Sequence, residues 1–165
     1  MFKKFTIPLI ILFLFLFSGH ASYASEFSET PTEIIIPSLH LSLPVVAAKI
    51  TYETWEVNET GASFGVGNIL PGLEGNTVIF AHARENLFVT LPDINKGDYV
   101  HVFTNKDWFV YQVYETKVVD PNDITVLDSQ KAHELTLFTC FGSDYSKRYI
   151  VKASMVTNTT VFDPN

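Results

Sequence analysis

DYVHVFTNKDWFVYQVY, residues 98–114, sets two runs rich in valine and aromatic residues around a polar centre. Such residues suit a pleated, half-buried surface. Thr104-Asn105-Lys106-Asp107 is turn chemistry, so Asp98 to Phe103 and Trp108 to Tyr114 predict a β-hairpin. The same grammar repeats on either side. Glu33-Ile34-Ile35-Ile36-Pro37 is a β-branched run stopped by proline, and Leu41 to Ile50 is a second extended segment. Thr77 to Ala81 (TVIFA), Leu135 to Thr139 (LTLFT) and Tyr149 to Ala153 (YIVKA) read as short apolar strands. Asp120-Pro121-Asn122-Asp123 breaks the chain before the last two. Residues 58–76 carry five glycines and one proline and predict irregular loops. The one fair helical candidate runs from Glu85 to Leu91. The fold class is therefore mainly β, with seven or eight short strands. Val78-Ile79-Phe80 and Leu137-Phe138 place apolar residues on consecutive positions, so both faces are covered in places. A closed or nearly closed barrel fits that pattern. A sandwich is the competing architecture.

The 165 residues suffice for one domain. Apolar residues make up 47% and charged residues 18%, a balance that favours a packed core over disorder. Met1-Phe2-Lys3-Lys4, the apolar run Phe5 to Phe17 and the small-residue stretch Ser18 to Ser25 follow the order of a secretory signal. The apolar run is short for a spanning helix and contains Pro8. Residues 1–24 therefore predict a signal peptide, with a retained signal-anchor as the alternative. Either places the domain outside the cytoplasm, secreted or anchored at the outer face of the membrane. Any membrane contact is expected only through that segment. Residues 25–33 read as an acidic linker, 34–157 as the folded domain and 158–165 as a polar tail. The formal charge of −7 becomes −9 once Lys3 and Lys4 are removed with no acid. Such a surface gains nothing from phosphate counterion release, so no nucleic acid is expected as a partner.

Cys140 is the only cysteine, which excludes an internal disulfide and leaves the fold to its core. Its residue type allows either a buried structural thiol or a reactive one. His82 directly follows TVIFA, Cys140 directly follows LTLFT, and Arg148 directly precedes YIVKA. All three are thus expected at strand ends, where a barrel would present them at one rim. A thiolate is the nucleophile of cysteine chemistry, and a neighbouring imidazole can take its proton. A guanidinium stays charged and can donate hydrogen bonds to a developing oxyanion. Together these residues could supply acyl transfer. A histidine after a strand is also a common structural residue, and an arginine opening one is commonly a solvated charge. His20, His40, His101 and His133 carry no metal-ligand spacing with Cys140, so no metal and no cofactor are expected.

LTLFTC at 135–140, followed by Arg148-Tyr149-Ile150-Val151, resembles the Thr-Leu-x-Thr-Cys and arginine signature of sortases. GNTVIFAHARENLFVTLPDINKGDYVHV at 75–102 resembles that family's histidine segment. IIIPSLHLSLPVV at 34–46 is similar to its opening strand, and Trp55 matches a tryptophan often found after it. The resemblance spans about residues 33 to 156. It implies an eight-stranded sortase-type β-barrel and a cysteine transpeptidase acting on C-terminal sorting signals of the Leu-Pro-x-Thr-Gly kind. It implies Cys140 as nucleophile, His82 as acid and base, Arg148 as the stabiliser of substrate or oxyanion, and Thr139 in the substrate groove. The implied partners are surface proteins bearing the signal and an amine of a peptidoglycan precursor or a pilin. Residues 120–134 correspond to the loop that shapes specificity. Ala81 stands where the family commonly has glycine, so the backbone there must avoid positive φ. No aromatic lid or calcium-binding acidic cluster is recognisable, and no second apolar segment suggests a C-terminal anchor. The absent lid and anchor argue against the pilus-polymerising subgroup. An exported cysteine hydrolase with the same site and a non-catalytic peptide-binding barrel are the alternatives.

Overall fold

Period-two patterning needs a partner for every strand edge, and closure of the sheet meets that need. The computed structural model describes residues 29–52 and 54–156; the expected signal segment 1–24 and tail 158–165 lie outside them. Its strands are β1 (Glu33–Ile36), β2 (Leu41–Ala48), β3 (Ile50–Thr51), β4 (Thr54–Trp55), β5 (Ala62–Gly65), β6 (Gly75–Phe80), β7 (Tyr99–Phe103), β8 (Trp108–Val119), β9 (His133–Phe141) and β10 (Lys147–Met155). Eight of them close a barrel in the order β1-β2-β5-β6-β9-β10-β8-β7, while β3 and β4 form a two-stranded ribbon. β1 seals the ring: Ile34 faces Leu43 of β2 on one side and Val102 of β7 on the other. The barrel, rather than the sandwich, is therefore the architecture.

Two neighbouring pairs are parallel, β2 with β5 and β6 with β9. Parallel neighbours require a crossover connection. The first crossover carries the β3–β4 ribbon, and the second carries β7, β8 and the segment 120–132. Both crossovers end beside β6 and β9, which concentrates loops on that part of the wall.

The interior is filled by Ile34, Ile36, Val45, Phe64, Ile79, Val100, Val102, Leu135, Leu137 and Val151 among others, all at most 5% exposed. Each such side chain contributes on the order of 1.5–3 kcal/mol by leaving water. β6 is apolar on both faces because its outer side is also covered. Val78 and Phe80 join Ala48 in a second cluster, packed by Trp55, Val57, Leu127 and Phe138. The rings of Trp55, Phe80 and Phe138 stack in a row, with centroids 5.5 and 4.9 Å apart. This outer layer explains the consecutive apolar residues in both strands.

Three local expectations change. The glycine-rich stretch 58–76 contains a strand, β5, whose four residues are all buried. Its pairing with β2 overrides the loop signal of its glycines, because strand preference follows context. Small residues are needed there: a Cβ on Gly61 would lie 2.6 Å from the Pro44 carbonyl oxygen, and one on Gly65 2.8 Å from the Trp55 ring. The helical candidate at Glu85 to Leu91 is a 3-10 segment at Phe88–Asp93, containing Pro92. It buries Phe88 and Leu91, so its apolar pattern is that of a plug on the core. β8 runs on to Val119, five residues past the expected end of the hairpin, because β10 pairs with it through Arg148↔Val119.

One interior group is ionic. Lys152 Nζ and Glu134 Oε1 lie 2.7 Å apart with both side chains fully buried. The Tyr114 hydroxyl donates to Glu134 Oε1 at 2.9 Å. The backbone N–H groups of Gln130 and Lys131 donate to Oε2, at 2.6 and 3.2 Å. Lys152 also donates to the Asp128 carbonyl at 3.2 Å. Buried charges persist when such partners replace their water. Here the backbone partners belong to the segment 128–131, so the pair ties that segment to the barrel wall.

Candidate active site

Strand register brings the three chemistry-bearing residues together. Cys140 of β9 is directly paired with Arg148 of β10. Phe80 of β6 is level with Phe138 of β9 in the parallel ladder. That ladder ends at Phe80, but the Ala81 N–H still donates to the Phe138 carbonyl at 3.4 Å, which keeps the segment leading to His82 beside β9. Side chains alternate along a strand, so Cys140 faces the same way as Phe138, outward from the barrel, and His82 lines the same groove. His82, Cys140 and Arg148 therefore occupy one row across three adjacent chain segments. All three line a groove of about 540 Å³.

The expected position needs adjustment. Cys140 and Arg148 lie within β9 and β10, each one residue in from the strand end, rather than beyond the strands. The row stands on the outer wall near the end of the barrel, not on its rim. β9 and β10 extend past the apolar runs because their backbones keep pairing through Lys147↔Phe141 after the core-facing residues stop.

The groove has an apolar wall and a polar end. Ile50, Trp55 and Val57 line it from the first crossover, and Ile124 and Leu127 from the second. Phe80 and Phe138 form its floor. Trp55 is fixed by its indole N–H, which donates to the Val66 carbonyl at 3.2 Å. Leu127 is fixed from beneath: the Asn76 side-chain amide donates to its carbonyl at 2.8 Å, and the Thr136 hydroxyl donates to the Asn76 side chain at 2.9 Å. Both walls are thus braced by hydrogen bonds to the barrel.

At the polar end, Cys140 is the free thiol and is partly buried. Arg148 donates through Nη1 to the carbonyls of Tyr145 and Lys147, at 3.2 and 2.9 Å. Its guanidinium thus holds the turn between β9 and β10 while lining the groove. His82 is 35% exposed at its side chain and approaches Glu59, with Nε2 3.3 Å from Oε1. Glu59 is also bonded by Arg84, whose guanidinium lies 2.7 Å from Oε2. That hydrogen bond and the Arg84 charge hold the Glu59 carboxyl below the usual carboxylate range. Neither Glu59 nor Arg84 stands out in the sequence. Glu59 sits in the glycine-rich stretch, and its separation from His82 in the chain gives no spacing signal.

Thr139 lines the groove but is 1% exposed. Its hydroxyl donates to the Ala81 carbonyl at 2.8 Å, tying β9 to the segment that presents His82. Ala81 is not among the residues of positive φ, as its side chain requires. Replacing Thr139 by valine keeps the side chain's bulk and removes this bond from a buried carbonyl. The expected loss is about 1–2 kcal/mol in chemical unfolding. An unchanged urea midpoint would mean that the bond contributes nothing.

Comparison with known proteins agrees with the fold. The Sortase domain family model matches residues 34–156. The chain is 28% identical over 142 residues to Sortase D of Bacillus subtilis (strain 168), covering 83% of this chain and 69% of that protein. It is 31% identical over 127 residues to Sortase A of Bacillus anthracis, covering 74% of this chain and 58% of that protein. The chain thus spans under two thirds of the second relative. Among solved structures, a pilus-related Sortase C of Group B Streptococcus superposes with a TM-score of 0.68 at 30% identity, covering 80% of this chain and 70% of that one. A lid mutant of Sortase A from Corynebacterium diphtheriae gives a TM-score of 0.68 at 28% identity, covering 83% and 76%. A closed eight-stranded barrel, a cysteine strand set between the histidine and arginine strands, and a family model spanning nearly all the described residues lead to one conclusion: this chain belongs to the sortase family, whose members are cysteine transpeptidases.

Proposed function

We propose that this chain cleaves a C-terminal sorting signal of the Leu-Pro-x-Thr-Gly kind and transfers the new acyl end to an amine. The observation supporting this reading is the row of His82, Cys140 and Arg148 at the polar end of an apolar-walled groove. The groove's apolar wall suits the leucine and proline of such a signal, which would bring the scissile bond to Cys140.

Cys140 Sγ, having given its proton to the imidazole of His82, attacks the threonine carbonyl carbon. The oxyanion formed is met by the Arg148 guanidinium. As the C–N bond breaks, His82 returns the proton to the leaving glycine nitrogen, and a thioester remains on Cys140. The incoming amine attacks that carbonyl and loses a proton to His82. The C–S bond then breaks, and the thiolate is regenerated. Thr139, buried beside Cys140, keeps the His82 segment in register through its bond to the Ala81 carbonyl. The acceptor is an amine of a peptidoglycan precursor or a pilin, and the enzyme works outside the cytoplasm, secreted or anchored at the outer face of the cell membrane.

Incubation with a fluorogenic sorting-signal peptide and a glycine-based amine should yield the amide-linked product, identified by mass. Products containing only the free acid would replace the transferase reading with a hydrolase. An uncleaved peptide would remove both.

A further inference from the structure

Glu59 joins the loop between β4 and β5 to the histidine of the reaction. Its two oxygens have different partners: Oε1 lies 3.3 Å from His82 Nε2, and Oε2 lies 2.7 Å from Arg84 Nη2. Arg84 also donates to the Glu59 main-chain carbonyl. Two bonds from one guanidinium therefore fix both the side chain and the backbone of Glu59. Arg84 follows His82 by two residues, so a single short segment carries both the imidazole and the group that fixes its neighbour.

The contact decides where the imidazole proton sits. Arg84 keeps the Glu59 carboxyl ionised at neutral pH. An ionised carboxylate only accepts hydrogen bonds. Nε2 must then carry the hydrogen, and in the neutral ring the lone pair lies on Nδ1. The other groups around His82 do not reverse this choice. Cys140 on β9 and Arg148 on β10 share its groove, and Arg84 is engaged with Glu59.

We infer that Glu59, held by Arg84, is a positioning residue that sets the tautomer of His82 and makes Nδ1 the atom that accepts and returns the proton. This inference rests on the reaction proposed above. Glu59 is 72% exposed at its side chain, so solvent screens its charge. Its influence lies in choosing the proton's position more than in stabilising a charged imidazole.

An unusual order of variants follows. Glu59→Gln leaves one oxygen for two donors. Arg84 is always charged and keeps that oxygen, so the amide NH2 turns toward Nε2. That NH2 can only donate, which drives the ring proton to Nδ1, the wrong nitrogen for the reaction. Glu59→Ala imposes no tautomer and should be milder. The expected losses in kcat are about tenfold or more for Glu59→Gln and about threefold for Glu59→Ala, with KM changed less than about twofold. Adding Arg84→Ala to Glu59→Gln frees the amide oxygen for Nε2–H and should restore kcat to the Glu59→Ala level or above.

The direct test is 15N NMR of histidine side chains in the full chain above the titration range, with His82 assigned by its loss in His82→Asn. Wild type should give the Nε2–H pattern and Glu59→Gln the Nδ1–H pattern. A wild-type Nδ1–H pattern, or the same pattern in both proteins, overturns the inference. So does a Glu59→Gln variant as active as wild type on a peptide that wild type cleaves. The NMR readout needs no turnover. If the tautomers behave as stated and wild type leaves the peptide intact, the proposed reaction fails while the assignment of the proton stands.

Discussion

Alanine at Cys140 is expected to lower turnover of a sorting-signal peptide by about a thousandfold or more while leaving the domain folded. The chain contains a single cysteine, so no second thiol can take over the attack. The substitution removes one sulfur from a partly buried position on a strand whose backbone is paired on both sides, with β6 and with β10. The stability change should stay within about 1 kcal/mol, so lost turnover with an unchanged urea midpoint separates chemistry from unfolding. A thiol-directed sulfonate should modify the folded wild type at Cys140, because the thiol opens into the groove. A Cys140→Ala protein that retains cleavage would end the cysteine mechanism and favour a binding barrel. Adduct formation only in denaturant would show that the groove does not admit a reagent to the thiol.

Much of this fold was legible because alternating strands declare themselves locally. The hairpin at 98–114 and the apolar runs of β6, β9 and β10 could be read one at a time. The closing of the ring could not, because it depends on β1, already paired with the adjacent β2, pairing also with β7 far along the chain. β5 was hidden for a different reason: Gly61 just before it and Gly65 at its end are dictated by the Pro44 carbonyl and the Trp55 ring, which are contacts visible only in three dimensions. The candidate site divides the same way. His82, Cys140 and Arg148 stand beside strands whose apolar patterns stop abruptly, so each was noticeable in the sequence. That they share one row follows from the β6–β9 and β9–β10 registers, which no local pattern encodes. Glu59 acquires meaning only through its contact with His82. Glu134 sits beside His133 in a stretch that reads as polar, and Lys152 sits inside YIVKA, so neither announces a buried charge.

Replacing Lys152 by methionine should destabilise the protein by about 3–5 kcal/mol at neutral pH, the usual cost of stranding a buried charge. Methionine fills the space of the lysine stem but leaves Glu134 without a counterion. Glu134→Gln in the same chain should recover much of that loss, since a neutral amide can still meet the Tyr114 hydroxyl and the backbone donors at Gln130 and Lys131. The pH dependence distinguishes this account from simple mispacking. In wild type, burial alone would raise the Glu134 carboxyl. The Lys152 hydrogen bond, the Gln130 N–H and the Tyr114 hydroxyl together outweigh it and hold the group below its ordinary value. A depressed folded value contributes stability that is present above the unfolded pKa, near 4.3, and is lost as pH falls through the folded one. Without Lys152, burial dominates and the folded value rises. Protonation then relieves a penalty, so acidification should help the variant while it weakens wild type. The gap in urea midpoint between wild type and Lys152→Met should therefore narrow steadily from about pH 7 to pH 4. A gap that stays constant over that range would assign the loss to packing and remove the buried ion pair as its cause. The same pair holds the segment 128–131, next to the groove-lining Leu127. Lys152→Met should thus also raise KM for the peptide under conditions where the variant is folded.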